Sequence, residues 1–272
     1  MDFTLVLSLV LFGLAGGFLS GLVGVGGGII FVPVFDFIFR SQGIEGEELV
    51  RLILANSFLA ILFAGILSSY QQYKKGHFHA KLILLIVVPA MIVGGFCSRL
   101  IAAYDWYGNA EFKLLFIGLL AFTLWRSIRK KSKSNTDDAE NIPKWKYSLI
   151  GLITGTVSAF SGLGGGVAMI PLLRTVAHKE MRTASAISIG VIPIMVLPFL
   201  GAYAMSNNQI HLDGIHIGYL QLSYALPLII GIFIGAPFGV RIAHKIENHH
   251  LQFIFATLLT ILIVKYLVEV IG

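Results

Sequence analysis

The sequence predicts an all-α polytopic membrane protein built from two inverted repeats, each a glycine-broken helix folded as a re-entrant hairpin plus three spanning helices. Three observations carry this reading. Apolar runs of about 20 residues recur along the chain. One glycine-rich motif occurs twice. The short segments between runs alternate in charge.

The apolar runs cover 5–23, 82–103, 112–125, 219–240 and 251–268. Only 12% of residues are charged and 56% are hydrophobic, about half the charged fraction of an ordinary soluble domain. Too little polar surface remains to coat a sphere of this size, so lipid is the expected solvent. The 30 glycines fit the same reading, since many lie inside apolar runs where small residues let helices approach closely. The net charge is +6, with the bases gathered in short segments between runs, which marks cytoplasmic loops rather than a nucleic-acid-binding face. Cys97 is single and cannot form an internal disulfide. The start, Met1-Asp2-Phe3, lacks the basic region of a secretory leader, and its pattern returns mid-chain, so the first segment is expected to belong to the mature fold.

The repeat is read from two stretches that align without a gap. Gly13, Leu14, Gly17, Ser20, Gly24, Gly26, Gly27, Gly28 and Pro33 match Gly151, Leu152, Gly155, Ser158, Gly162, Gly164, Gly165, Gly166 and Pro171. Arg51, Ala55 and Ser57 then align with Arg182, Ala186 and Ser188. The units are therefore 1–128 and 145–272, joined by a polar linker at 129–144 that contains the solvated pair Asp137-Asp138.

Sorting the loops by Lys and Arg content places 70–81, 126–146, 174–182 and 241–250 in the cytoplasm, and 99–113 and 206–218 outside. The linker and the 174–182 loop then share one side, although the glycine-rich segment 147–173 lies between them. A re-entrant helix–glycine–helix hairpin satisfies this, and the matching segment 3–39 has both ends outside, next to Asp36, Glu45, Glu47 and Glu48. One hairpin and three spans per unit make the second unit enter from the opposite face, the inverted arrangement of many secondary transporters. The chain is thus expected to be multi-pass in the cell membrane, with the linker cytoplasmic.

Successive glycines break an apolar helix, and a break in hydrocarbon frees backbone groups that protein, water or substrate must satisfy. Here each bend is followed by a short helix, 29–39 and 167–175, whose first amides point into the bend at the positive end of the helix dipole. Two bends meeting near the midplane would form an anion pocket of backbone, assigned to Gly24, Gly26, Gly27 and Gly28 with Gly162, Gly164, Gly165 and Gly166. The neighbouring uncharged donors Ser20, Ser158, Ser161, Asn56, Ser57 and Ser188 complete the candidate set. Gly13, Gly17, Gly151 and Gly155 are expected to serve helix packing, and Arg51, Arg99, Arg182 and Arg241, at run ends, to snorkel to the interface. Pro89, Pro193, Pro198, Pro227 and Pro237 predict kinks. No catalytic residue, cofactor or metal is expected, because the histidines lie in loops without zinc-site spacing and no phosphate-loop lysine follows the glycines.

The paired segments, G-V-G-G-G-I-I-F-V-P from Gly24 to Pro33 and G-L-G-G-G-V-A-M-I-P from Gly162 to Pro171, resemble the sulfite exporter TauE/SafE family of membrane permeases. The resemblance covers nearly the whole chain and implies transport of sulfur-containing anions, such as sulfite, sulfonates or sulfoacetate, across a bacterial cytoplasmic membrane. The family often has Thr-Ser in the second helix of each unit, where this chain has Asn56-Ser57 and Ile187-Ser188. The expected partners are a small anionic substrate and the bilayer, with homo-oligomer formation left open. The competing readings are a passive anion channel and an intramembrane hydrolase, the latter from Ala159-Phe-Ser161-Gly162, which has no mid-span histidine to activate its serine.

Overall fold

The computed structural model describes residues 3–74, 79–129, 142–206 and 214–271. The Asp137-Asp138 pair, His77 and His211 lie outside these residues. The described chain is almost entirely helical. The first half holds α1 (Phe3–Val23), α2 (Gly28–Ser41), α3 (Gly46–Lys74), α4 (Ala80–Ala103) and α5 (Asn109–Arg129). The second holds α6 (Lys144–Ser161), α7 (Gly166–Val176), α8 (Met181–Met195), α9 (Leu197–Ala204), α10 (Leu222–Ala243) and α11 (Asn248–Ile271). A two-residue-per-strand hairpin, β1 (His216–Ile217) and β2 (Leu220–Gln221), precedes α10 and is a small addition to the all-α expectation.

Among the described residues, six stretches are long and apolar enough to cross a membrane: α1, α3, α4, α8 with α9, α10, and residues 249–266 of α11. At 1.5 Å per residue, α1 alone reaches about 32 Å, enough for the ~30 Å hydrocarbon core. α5 is as long as α1 but carries charged residues at both ends, and α6 begins with Lys144 and Lys146. The apolar surface is turned outward on the flanking helices. Leu84, Ile92 and Phe96 of α4 and Ile230, Phe233 and Ile234 of α10 are exposed, as suits a lipid solvent. The chain is a polytopic, multi-pass helical membrane protein.

α3 and the α8–α9 stretch form the centre. In each, 78% of the spanning window is buried, against 28% in α4. Close approaches pair Gly65 with Pro193 and Ser69 with Ile189, and Phe58 stacks edge-on to Phe199, so α3 and α8–α9 run antiparallel. Two prolines break the second of these into α8 and α9. Pro193 has no N–H for the Ile189 carbonyl, and the Ser69 hydroxyl donates to that carbonyl instead at 2.8 Å. Pro89 in α4 likewise frees the Leu85 carbonyl, which faces the Ser148 hydroxyl of α6 at 3.5 Å.

The outer helices pair across the repeat. α1 runs parallel to α10: a Cβ on Gly13 would strike the Leu228 carbonyl, and one on Gly21 the Ala236 carbonyl. From the other side, Cβ atoms on Gly231, Gly235 and Gly239 would strike the Val10, Leu14 and Phe18 carbonyls. α6 runs parallel to α4 in the same way, with Gly151 against the Ile86 carbonyl and Gly155 against that of Ala90. These glycines serve backbone-to-backbone packing, as their spacing of four residues predicts.

Candidate functional site: paired glycine bends

Both bends have the same backbone. Gly24, Gly26 and Gly27 take φ of +85°, +85° and +76°, and Gly162, Gly164 and Gly165 take +70°, +72° and +75°. Only glycine adopts three such left-handed positions in four residues without strain. Their hydrogen bonds also match. The Gly24 amide donates to the Ser20 carbonyl at 2.9 Å and the Gly162 amide to that of Ser158 at 3.0 Å, closing α1 and α6. The Phe31 and Met169 amides donate to the Gly27 and Gly165 carbonyls at 3.1 and 2.8 Å, opening α2 and α7.

The two bends touch, and their contacts swap. A Cβ on Gly28 would lie 2.7 Å from the Leu163 Cα, and one on Gly166 would lie 2.6 Å from the Val25 Cα. Leu163 and Val25 hold the same place in the two motifs. Among the described residues the amides of Gly26, Gly27, Gly28 and Ile29 make no hydrogen bond, nor do those of Gly164, Gly165 and Val167. Unpaired amides therefore cluster at two helix N-termini, where the dipole adds positive potential.

The predicted hydroxyls fall into two groups. Ser20, Ser57 and Ser158 are fully buried, and their Oγ atoms have no hydrogen-bond partner among the described residues. Ser158 lies beside the second bend, its Cβ 3.5 Å from where a Cβ on Gly165 would stand. The others are engaged. Ser188 Oγ donates to the Gly24 carbonyl at 2.7 Å, and Ser161 Oγ accepts from the Leu163 amide at 3.3 Å. Asn56 Nδ2 donates to the Leu52 and Tyr219 carbonyls at 2.8 and 3.1 Å, and its Oδ1 accepts from the Gln221 amide at 2.7 Å. Asn56 thus binds the buried hairpin strand beside α3 rather than pointing an open amide at the bends.

Sequence reasoning missed the residues that close the site. A Cβ on Gly26 would meet Ile192 Cδ1 at 3.2 Å and Ile61 Cγ2 at 3.3 Å, and one on Gly164 would meet Ile61 Cγ2 at 2.8 Å. Extending the Ser57–Ser188 alignment by one helical turn pairs Ile61 with Ile192, so the signal was present. Ser185 packs on Gly24, where the first unit offers Leu54 against Gly162. Gln221 is fully buried with neither side-chain amide atom hydrogen-bonded among the described residues.

The end of α3 away from its lysine carries a polar network. Arg51, expected to snorkel, is instead buried. It donates to the Ile101 carbonyl at 3.1 Å, to Glu48 at 2.9 Å and to Asp105 at 2.5 Å. The Tyr219 hydroxyl donates to the same Glu48 oxygen at 3.0 Å. Burial, and then this bond to Glu48, push the Tyr219 phenol above its ordinary range, so it stays a donor. These groups line a polar cavity of about 380 Å³ that also reaches Ser206. Arg182, at the matching place in the second unit, donates to the Ile246 carbonyl at 2.8 Å. Both arginines thus bind a carbonyl near the junction of the last two helices of their own unit. Arg99 and Arg241 are exposed, as expected.

The profile of the sulfite exporter TauE/SafE family matches residues 9–266. A probable membrane transporter protein of Methanocaldococcus jannaschii is 28% identical over 263 residues, covering 96% of this chain and 95% of that one. The probable membrane transporter protein YunE of Bacillus subtilis is 26% identical, covering 93% and 94%. A probable membrane transporter protein of Haemophilus influenzae is 23% identical, covering 97% and 98%. No solved structure matches. With its two matched bends and a profile match that spans nearly every residue, the chain belongs to the sulfite exporter TauE/SafE family of membrane transporters.

Proposed function

We propose that this protein is a secondary transporter of small sulfur-containing oxyanions, of the class of sulfite, sulfonates and sulfoacetate, working by alternating access around the paired bends. Units 1–128 and 145–272 are read as inverted repeats joined by a cytoplasmic linker at 129–144. The antiparallel course of α3 and α8–α9, which hold matching places, supports this reading, as do the parallel pairs α1–α10 and α6–α4.

The observation that carries the proposal is the pair of touching bends with matched left-handed glycines and unpaired amides at two helix starts. Each helix start presents roughly half a positive charge, so two together oppose about one negative charge. The buried hydroxyls of Ser20, Ser57 and Ser158 add neutral donors. Such a site can replace the water around an oxyanion without holding it as tightly as a lysine or arginine would. Ile61 and Ile192 fill the space in front of Gly26 and Gly164, so substrate reaches the amides only when they move. That closure favours a carrier over an open channel. The sequence holds no nucleotide-binding motif, so the driving force is the substrate's own gradient or that of a coupled ion.

The test is uptake of radiolabelled sulfite into proteoliposomes, with and without unlabelled sulfite inside. Preloading should accelerate uptake several-fold. Uptake that is indifferent to preloading would move the reading to a channel, and absence of sulfite, sulfonate and sulfoacetate uptake would remove the substrate class.

A further inference from the structure

Two surface cavities, formed where α1, α2 and α5 of the first unit meet α11 of the second, join end to end. The first is a groove of about 440 Å³ between α1, α2 and α11, walled by Leu5, Leu9 and Phe12 on one side and Val34 and Ile38 on the other. Ser8 also lines it, but its hydroxyl already donates to the Thr4 carbonyl at 2.8 Å, so the wall makes little polar demand. The second, also about 440 Å³, is polar and lies at the ends of the helices, lined by Asp36, Arg40, Ser41, Lys113 and Lys265. Both cavities include Phe37 and Lys265, so they form one continuous trough.

The polar end has a defined charge. Arg40 pairs with Asp36 at 2.7 Å and donates to Asn109 Oδ1 at 2.6 Å, which fixes it at the rim. The residues lining the rim carry a formal charge of +2, three cations against one carboxylate (3 − 1), and the Lys265 ammonium also lies 5.1 Å from the centroid of the Tyr266 ring. The trough also has a defined depth. From Ser41 at the end of α2 to Pro33 is eight residues, or about 12 Å of helix, close to the ~15 Å half-thickness of a hydrocarbon core. Phe37, 73% exposed, stands at the seam between the polar and apolar parts.

We propose that this trough binds one anionic phospholipid, with its phosphate at Arg40, Lys113 and Lys265 and an acyl chain along the apolar groove. The basic rim and apolar floor have the separation of headgroup and chain within a single leaflet. A soluble phosphate would use only the rim. A zwitterionic lipid would bring a cation of its own to a rim that is already positive. This site is separate from the glycine bends, and its presence does not depend on the transport reading.

Purified full-length protein in detergent, titrated with phosphatidylglycerol or phosphatidylcholine of identical chains and read by native mass spectrometry, tests the proposal. One phosphatidylglycerol should be retained in preference to phosphatidylcholine. The double variant Lys113→Gln with Lys265→Gln should weaken phosphatidylglycerol by about thirtyfold, taking the usual contribution of two lysines near a lipid surface, and leave phosphatidylcholine unchanged. Val34→Trp, which fills the groove, should weaken both lipids. Equal retention of the two lipids by the wild type, or an unchanged phosphatidylglycerol affinity in the lysine variant, would overturn the proposal. So would displacement of the lipid by millimolar glycerol 3-phosphate, which would mark the rim as a site for soluble phosphates. Should Val34→Trp fail to fold, the wild-type comparison and the lysine variant still decide the matter.

Discussion

The Ser188 hydroxyl donates to the Gly24 carbonyl at 2.7 Å, while Ser57, at the matching place in the first unit, is buried with no hydrogen-bond partner among the described residues. A carbonyl at a helix break loses the amide that would have bonded it in the next turn. The second unit supplies a replacement donor to the first bend. Two bends with one backbone conformation are thus held unequally.

This asymmetry predicts different consequences for two alike substitutions. Ser188→Ala leaves the Gly24 carbonyl buried and unpaired and should lower stability by about 1–3 kcal/mol. Ser57→Ala removes a hydroxyl that has nothing to bond, so stability should change little, but the apparent affinity for the transported anion should fall. Thermal melting in detergent, paired with uptake kinetics, reads both. A larger loss of stability in the Ser57 variant would contradict the assignment.

Asn56 is expected to matter for folding more than for anion contact. Its amide satisfies the Tyr219 carbonyl and the Gln221 amide inside the protein, where water cannot. Asn56→Ala should cost about 3 kcal/mol by leaving both unpaired, and Asn56→Asp should retain only the bond from the Gln221 amide. A melting temperature well below that of the wild type in the Asn56→Ala variant would support this. An Asn56→Ala protein that melts like wild type but fails to bind sulfite would return Asn56 to the anion site.

The bends can be probed without breaking them. At Gly27, a Cβ would meet the Gly16 carbonyl at 2.7 Å and the Phe31 ring, so substitution there threatens folding. At Gly26 the nearest atoms are side-chain methyl groups of Ile61 and Ile192, at 3.2 Å or more. Gly26→Ala should therefore insert and fold, with a backbone cost of about 1–2 kcal/mol for the left-handed φ, yet reduce uptake at least tenfold by narrowing the site. Adding Ile192→Ala should restore part of that uptake. Rescue measured in proteoliposomes separates a filled site from a strained fold, and two strictly additive losses would show that Ile192 does not border the site.

The parts legible in the sequence were those set by local backbone chemistry. A run of glycines followed by a proline dictates a break and a new helix, so the two bends, the packing role of Gly13 and Gly151, and the family could be read directly. Residues whose role depends on the partner helix could not. Arg51 looks like any arginine at the end of an apolar run, and its burial depends on Asp105 and Tyr219, which are far away in the chain. Asn56 invited an anion-binding role until the hairpin at 216–221 claimed its amide. Ile61 and Ile192 look like core residues in sequence and pack against both bends only because the two bends meet.

The inverted arrangement makes a labelling prediction that needs no substrate. α2 and α7 leave their bends at matching places, so in inverted units their far ends emerge on opposite faces of the membrane. The charges agree: Glu45, Glu47 and Glu48 follow α2, whereas Arg174, Lys179 and Arg182 surround the end of α7. With Cys97→Ser as background, Ser41→Cys and Glu180→Cys would each place one thiol at an exposed position. A membrane-impermeant maleimide applied to intact cells should label the first. The second should react only after permeabilisation. Labelling of both from the same side would reject inverted repeats, and alternating access would then need a different symmetry from the one that the swapped contacts of Gly28 and Gly166 suggest.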